Sequence, residues 1–400
     1  MSIIKQVPVV VLNGFLGAGK TTLFRNLLSQ AKRRNTNVCA IVNDMSDLDV
    51  DGVLLGETAI VEDDASILEV ISSCVLSSKE GVKKLDGSIQ RLLKHQDPEI
   101  IIIETSGSCH PLPLVDYFKE QANLKLTGVF VLVDSLMLAH DFSFGKSMIP
   151  KIQQNKLNEK RDMVNLLVEQ ILFSSHLFIT KSDKIAEEKL SEIASYISQI
   201  NPYISIHSLL FGKLKIDSLL ELTAYDYNRV LKLVQQLKSE LNFKNTNQPY
   251  NITTRVIKDE RPFHPKRLWD ACHQYLGQKI YRSKGFFWLA SRKKDSLLWQ
   301  QASGGISLEI IGTWRSGVLE DDNHGLTEIE VEHMKQIITK NSGRFGDRHC
   351  HLTVIGDSNQ VDLFTDKLKS CFLTEDEVLL WKTGFQFDDP WPKNIIRLIN

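Results

Sequence analysis

Short apolar runs recur through the first half of the chain, and between them apolar residues return every three or four positions with charges opposite. The runs Pro8 to Leu12, Val38 to Val42, Ile100 to Ile103, Val129 to Val133 and Leu177 to Ile179 are largely β-branched and lack polar alternation, which predicts strands buried on both faces. Lys20 to Ala31, Lys79 to Lys94, Arg161 to Leu172 and Glu187 to Gln199 have the spacing of helices with one apolar side. Strands alternating with crossover helices predict an α/β fold: a doubly wound, mostly parallel sheet over residues 1–243. After a helical stretch around Val230 to Leu241, the polar, turn-forming Lys244 to Pro249 predicts a linker. A smaller α+β domain is then expected over 250–400. Its strands are predicted at Asn251 to Lys258, Phe286 to Ala290, Ser307 to Thr313 and His351 to Ile355, and its helices at Pro265 to Leu276 and Asp362 to Ser370.

Charge adds little to this picture. Lys and Arg total 48 against 49 Asp and Glu, a net charge of -1, and no basic stripe points to nucleic acid as a partner. The six cysteines are scattered, with no CxxC pair, which favours a reducing compartment over a disulfide framework. The run Val7 to Leu12 is far shorter than the roughly 20 residues that span a bilayer, and it leads straight into a glycine-rich loop. A cytoplasmic protein with no membrane partner is expected.

That loop carries the strongest chemistry. Gly14, Gly19, Lys20 and Thr21 match GxxxxGK[ST] after a strand and before a helix. In such loops the backbone N–H groups converge on phosphate oxygens, and the helix N-terminus adds its dipole. Gly14, Gly17, Ala18, Gly19, Lys20, Thr21 and Thr22 are therefore expected to hold the nucleotide, with Lys20 at the β/γ-phosphates and Thr21 on Mg²⁺. Triphosphate chemistry also needs a carboxylate at the end of a buried strand. Glu104 closes the run IIIIE, and Gly107 completes an ExxG whose N–H is expected to reach the γ-phosphate. Lys20, Glu104 and Gly107 are the predicted catalytic residues.

Base choice is read in Phe178 to Asp183, FITKSD, a variant of NKxD in which Thr180 stands for Asn. Lys181 is expected over the base, while Asp183 accepts two hydrogen bonds from guanine that adenine cannot donate. A buried carboxylate left unmatched costs more than about 1–3 kcal/mol, so GTP is favoured over ATP.

With these motifs in order, the chain resembles the CobW family of GTPases, which includes cobalamin-synthesis, nitrile-hydratase-activator and zinc-homeostasis metallochaperones. Ile41 to Gly52 (IVNDMSDLDVDG) and Leu166 to Asp183 are similar to family segments. So are four stretches of the second half: Arg261 to Leu268, Ser283 to Ala290, Gly346 to Arg348 and Asp388 to Pro392. The resemblance implies slow GTP hydrolysis and a role in metal homeostasis or metalloprotein maturation, with a client metalloprotein engaged through the C-terminal domain. It also implies metal ligation by thiolates of a GCxCC segment, and Asp44 and Cys74 are the metal residues expected here beside Thr21 and Glu104. Here that segment is SCVLS, Ser73 to Ser77: Cys74 is kept, and Leu76 and Ser77 replace the other cysteines. One thiolate cannot complete a tetrahedral Zn²⁺ site, so the alternative is a GTP-controlled protein-binding module that has lost metal transfer. Asp44, Asp47, Asp49 and Asp51, and the pair Cys109 and His110, are the nearby substitutes. His349 and His351 stand two apart, as if on one strand face, and supply too few ligands. His264, Trp269, Trp288, Trp299 and Trp314 read as structural. A P-loop kinase for a small metabolite is a weaker third reading.

Overall fold

A computed structural model describes residues 6–44, 67–72, 74–158, 160–241, 251–276, 279–302, 305–321, 325–340, 343–392 and 396–397. The linker stretch 244–249 and Asp47, Asp49 and Asp51 lie outside them. The chain divides into two compact units, Met1–Asn251 and Ile252–Asn400.

The described residues of the first unit contain a sheet of seven strands: β1 (Val7–Gly14), β2 (Val38–Asp44), β3 (Leu68–Ser72), β4 (Ile100–Glu104), β5 (Leu124–Asp134), β6 (His176–Thr180) and β7 (Ser205–Leu209). Their order is β3-β2-β4-β1-β5-β6-β7 and every pairing is parallel. The central strands are the β-branched runs of the sequence. Val9 to Leu12 and Ile100 to Ile103 are at most 1% exposed, because helices cover both faces. The helix Lys20–Arg34 packs Leu23, Phe24 and Leu27 onto Val10, Ala40 and Ile102.

Five strands were expected and seven are observed. The two extra ones, β3 and β7, are the sheet's edges, where one side meets solvent. Glu69 and Ser72 in β3, and Ser205, His207 and Ser208 in β7, therefore break the continuous apolar run that marks an interior strand.

In the second unit the described sheet has six strands in the order β13-β11-β10-β9-β12-β8: β8 (Thr253–Asp259), β9 (Ile280–Phe287), β10 (Asp295–Ala302), β11 (Gly305–Thr313), β12 (Cys350–Gly356) and β13 (Ile396–Arg397). All neighbours are antiparallel except β11 and β13. The strand expected at Phe286 to Ala290 begins earlier and stops at Phe287, because Trp288 leaves the ladder to cap the core under Arg348. Trp288 and Trp299 are fully buried, and the helices Pro265–Tyr275 and Ser358–Lys369 close the same core. His264 caps the first of these helices through Nδ1, accepting from the Arg267 N–H at 3.4 Å.

The buried Arg348 guanidinium donates to the Lys293 carbonyl at 2.8 Å and to both oxygens of Glu320 at 2.9 and 2.6 Å, above the Trp288 ring. Removing it strands the Lys293 carbonyl and leaves the half-exposed Glu320 carboxylate to solvent. Arg348→Met is expected to destabilise this unit by about 2 kcal/mol. All six tryptophans fall between Trp269 and Trp391, so indole fluorescence in a denaturant titration of the full chain reads this unit alone.

Candidate nucleotide site

β1 runs into the loop 15–19, and the helix begins at Lys20. Gly17 and Gly19 have φ of 77° and 90°, a left-handed backbone that side chains resist, and this pair of turns lets the loop curl round its own N–H groups. Ala18 N–H donates to the Phe15 carbonyl at 3.3 Å to close the curl. Lys20, only 6% exposed, lays its ammonium on the carbonyls of Gly14 (2.8 Å) and Phe15 (3.1 Å). It therefore stays at the mouth of the loop, on weak neutral acceptors that a phosphate would outcompete. Thr22 is exposed on the first turn.

Thr21 donates its hydroxyl to Glu104 Oε1 at 2.7 Å, although the two are 83 residues apart. The cause is register: β1 and β4 are neighbours, with Leu12 beside Glu104. A buried carboxylate and a hydroxyl side by side are a hard oxygen donor set that suits Mg²⁺. The ETSG segment that follows is pinned from three sides. Asn13 Oδ1 accepts from the Thr105 hydroxyl (3.1 Å), Asn43 Oδ1 from the Ser106 N–H (3.3 Å), and Gln170 Nε2 donates to the carbonyls of Gly107 (3.3 Å) and Cys109 (3.0 Å). Gly107 lies so close to the phosphate loop that a Cβ there would stand 2.4 Å from Leu16 Cδ2 and 2.8 Å from its N.

The base-reading segment reaches the same edge, where the Thr180 methyl lies 3.8 Å from the place of a Gly19 Cβ. Thr180 gives its hydroxyl to the Val133 carbonyl at 3.3 Å. Lys181, at φ 53°, is paired with the buried Asp134 at 2.5 Å. Asp183 is partly exposed, 3.4 Å from Lys184. Asn13, Asn43, Asp134 and Gln170 were not singled out from sequence. Their signal was there to read: each is a polar residue ending an apolar strand or lodged inside an apolar helix face.

The metal segment is different. Among the described residues no group of three His, Cys, Asp or Glu is placed to hold a metal ion. Cys74 is buried, and the ammonium of nearby Lys84 is paired with Glu80 at 2.9 Å. Leu76, where the resemblance puts a ligand, is fully buried. Ser77 accepts the His110 N–H at 3.2 Å and lies against the Cys109 thiol. His110 uses both ring nitrogens: Nδ1 accepts from the Leu112 N–H (3.1 Å) and Nε2 meets Glu169 (2.9 Å), whose two oxygens both accept from Arg161 Nη2. The donors described there do not fit Zn²⁺. Of Asp44 the backbone is described, paired with Ser72. In the second unit His349 precedes β12, its Nδ1 on the Asp347 carbonyl, whereas His351 lies buried within the strand, so the two do not share a strand face.

A parallel sheet with a glycine loop, an inward lysine and a Thr–Glu contact at the end of adjacent central strands defines a P-loop GTPase. Two family models match: the nucleotide-binding domain of CobW/HypB/UreG over residues 8–208, and the cobalamin synthesis protein cobW C-terminal domain over 252–372. The chain belongs to the CobW family. It is 27% identical over 405 residues to the zinc-regulated GTPase metalloprotein activator 1 of Dictyostelium discoideum, covering 94% of this chain and 82% of that protein. It is 23% identical over 296 residues to the zinc chaperone YjiA of Escherichia coli, covering 71% and 82%. Among solved structures, Zn(II)-bound YjiA GTPase from E. coli is similar at 17% identity and a TM-score of 0.35, over 91% of this chain and 99% of that one. No helix among the described residues is long and apolar enough to cross a membrane.

Burial pushes the Cys109 thiol up to about 12, against smaller lowering by Ser77, Lys20 and Thr105. A raised thiol pKa keeps the group neutral, so the nucleophilic thiolate is scarce below that pH. Native protein treated with iodoacetamide at pH 8 is expected to leave Cys109 unmodified, and urea to expose it, as read by peptide mass spectrometry.

Proposed function

We propose that the chain binds GTP with Mg²⁺ at the loop Gly14 to Thr22, hydrolyses it slowly, and serves metal homeostasis or metalloprotein maturation in the cytoplasm. The observation that carries this reading is the 2.7 Å contact between Thr21 and Glu104 in the turn that follows Lys20. Gly14, Gly17, Ala18 and Gly19 cradle the phosphates, Lys20 moves from loop carbonyls to β/γ-phosphate oxygens, and Gly107 offers its N–H to the γ-phosphate. Thr21 and Glu104 hold Mg²⁺, with Asp44 on the neighbouring strand as a further oxygen donor; the ion, when bound, offsets charge on the phosphates. Thr180 and Lys181 flank the base and Asp183 reads guanine. The relatives named for zinc, and six free buried thiols, support the metal and cytoplasmic parts of the reading.

The GTPase domain, 1–243, then governs docking of a client metalloprotein on the domain 250–400. One observation favours a second reading, a GTP-controlled binding module without metal transfer: Leu76 and Ser77 have become packing and hydrogen-bonding groups in the segment where the family keeps thiolates.

Calorimetric titration with GTP and ATP tests the nucleotide assignment; preference for ATP, or no binding, removes it. Glu104→Gln is expected to lower single-turnover GTP hydrolysis at least about 100-fold, with GDP affinity little changed. Asp183→Asn is expected to weaken GTP binding at least about tenfold, read by the same titration. Zn²⁺ titrated with GTP present separates the two readings: micromolar binding lost in Cys74→Ala supports metal transfer, and no binding supports the module.

A further inference from the structure

Ser106 is 8% exposed, and its Oγ has no hydrogen-bond partner among the described residues. Its neighbour Thr105 differs: that hydroxyl is satisfied by the Leu12 carbonyl and Asn13 Oδ1. An unsatisfied buried hydroxyl is costly, so a structure retains one where something else meets it. The backbone around Ser106 is held still, with its N–H on Asn43 and the next carbonyl on Gln170. The segment also touches the phosphate loop on either side of Ser106, through Glu104 on Thr21 and through Gly107 on Leu16. Leu16 follows the two residues, Gly14 and Phe15, whose carbonyls hold the Lys20 ammonium. That end of the loop is therefore where the terminal phosphate belongs, since the P-loop lysine serves the β/γ position.

We propose that Ser106 donates its hydroxyl to a γ-phosphoryl oxygen and so lets the site tell a nucleoside triphosphate from a diphosphate. This rests on the GTP reading above. The hydroxyl makes a charge-assisted bond that exists only while the third phosphate is present, on a backbone already fixed in place. Loss of that phosphate takes this contact from the ETSG segment along with the one expected at the Gly107 N–H.

Ser106→Ala, Ser106→Val and Ser106→Thr in the full chain, titrated with Mg²⁺ and either GDP or the non-hydrolysable β,γ-imido analogue of GTP, test the proposal. Ala and Val are expected to weaken the triphosphate analogue about tenfold while GDP affinity stays within about twofold, and Thr, which keeps the hydroxyl, to stay near wild type. GDP binding by each variant reports that its site is folded; should Ala not fold, the isosteric Val and Thr pair decides. An unchanged ratio of the two affinities in the hydroxyl-free variants overturns the proposal. Wild-type protein that binds neither nucleotide instead overturns the GTP reading itself.

Discussion

Where β1, β2 and β4 end together, the chain leaves the sheet and its backbone groups lose their ladder partners. Buried peptide groups must be paired, and here the pairing is done by three side-chain amides. Asn43 spans the Ile71 and Cys74 carbonyls and the N–H groups of Leu76 and Ser106; Asn13 and Gln170 hold the ETSG segment and the turn after it. Each amide has both a donor and an acceptor end, so one residue can tie two loops at once. The phosphate loop, the Glu104 segment and the SCVLS segment are thus braced against one another.

This bracing bears on how such a site responds to its ligand. Glu104 and Gly107 sit on one short segment, each touching the phosphate loop. The same segment continues into Cys109 and His110, and His110 is fixed by Glu169 and Arg161. A change felt at Glu104 therefore has a packed, hydrogen-bonded route to Ser77 and the SCVLS turn. The SCVLS segment is joined to the Glu104 segment by contacts of this chain.

The TKSD segment and the second unit show how the tertiary structure uses local sequence. Thr180 has no side-chain amide, but its hydroxyl ties β6 to β5 through Val133, and Asp134 takes the neighbouring Lys181 as its partner. In the second unit the aromatic core closes round Trp288 and Trp299, with the Trp299 indole N–H given to Ser283 at 2.7 Å. The motif-like strings Arg261 to Leu268 and Gly346 to Arg348 turn out to be packing and capping elements of that core.

The amino-acid sequence alone determined the central strands, their crossover helices and the phosphate loop, because buried parallel strands and GxxxxGK[ST] are local patterns that few other structures satisfy. Glu104 and TKSD were legible for the same reason, each sitting at the end of an apolar run. Only the tertiary structure decided what depends on residues far apart in the chain. It paired Thr21 with Glu104 across 83 positions, seated Gln170 on the Gly107 carbonyl, and gave both nitrogens of His110 to other partners. It also added the edge strands β3 and β7, whose half-exposed residues carry no apolar run. Periodicity records whether a residue is buried; which groups it meets there is set by the register of strands that the local sequence does not encode.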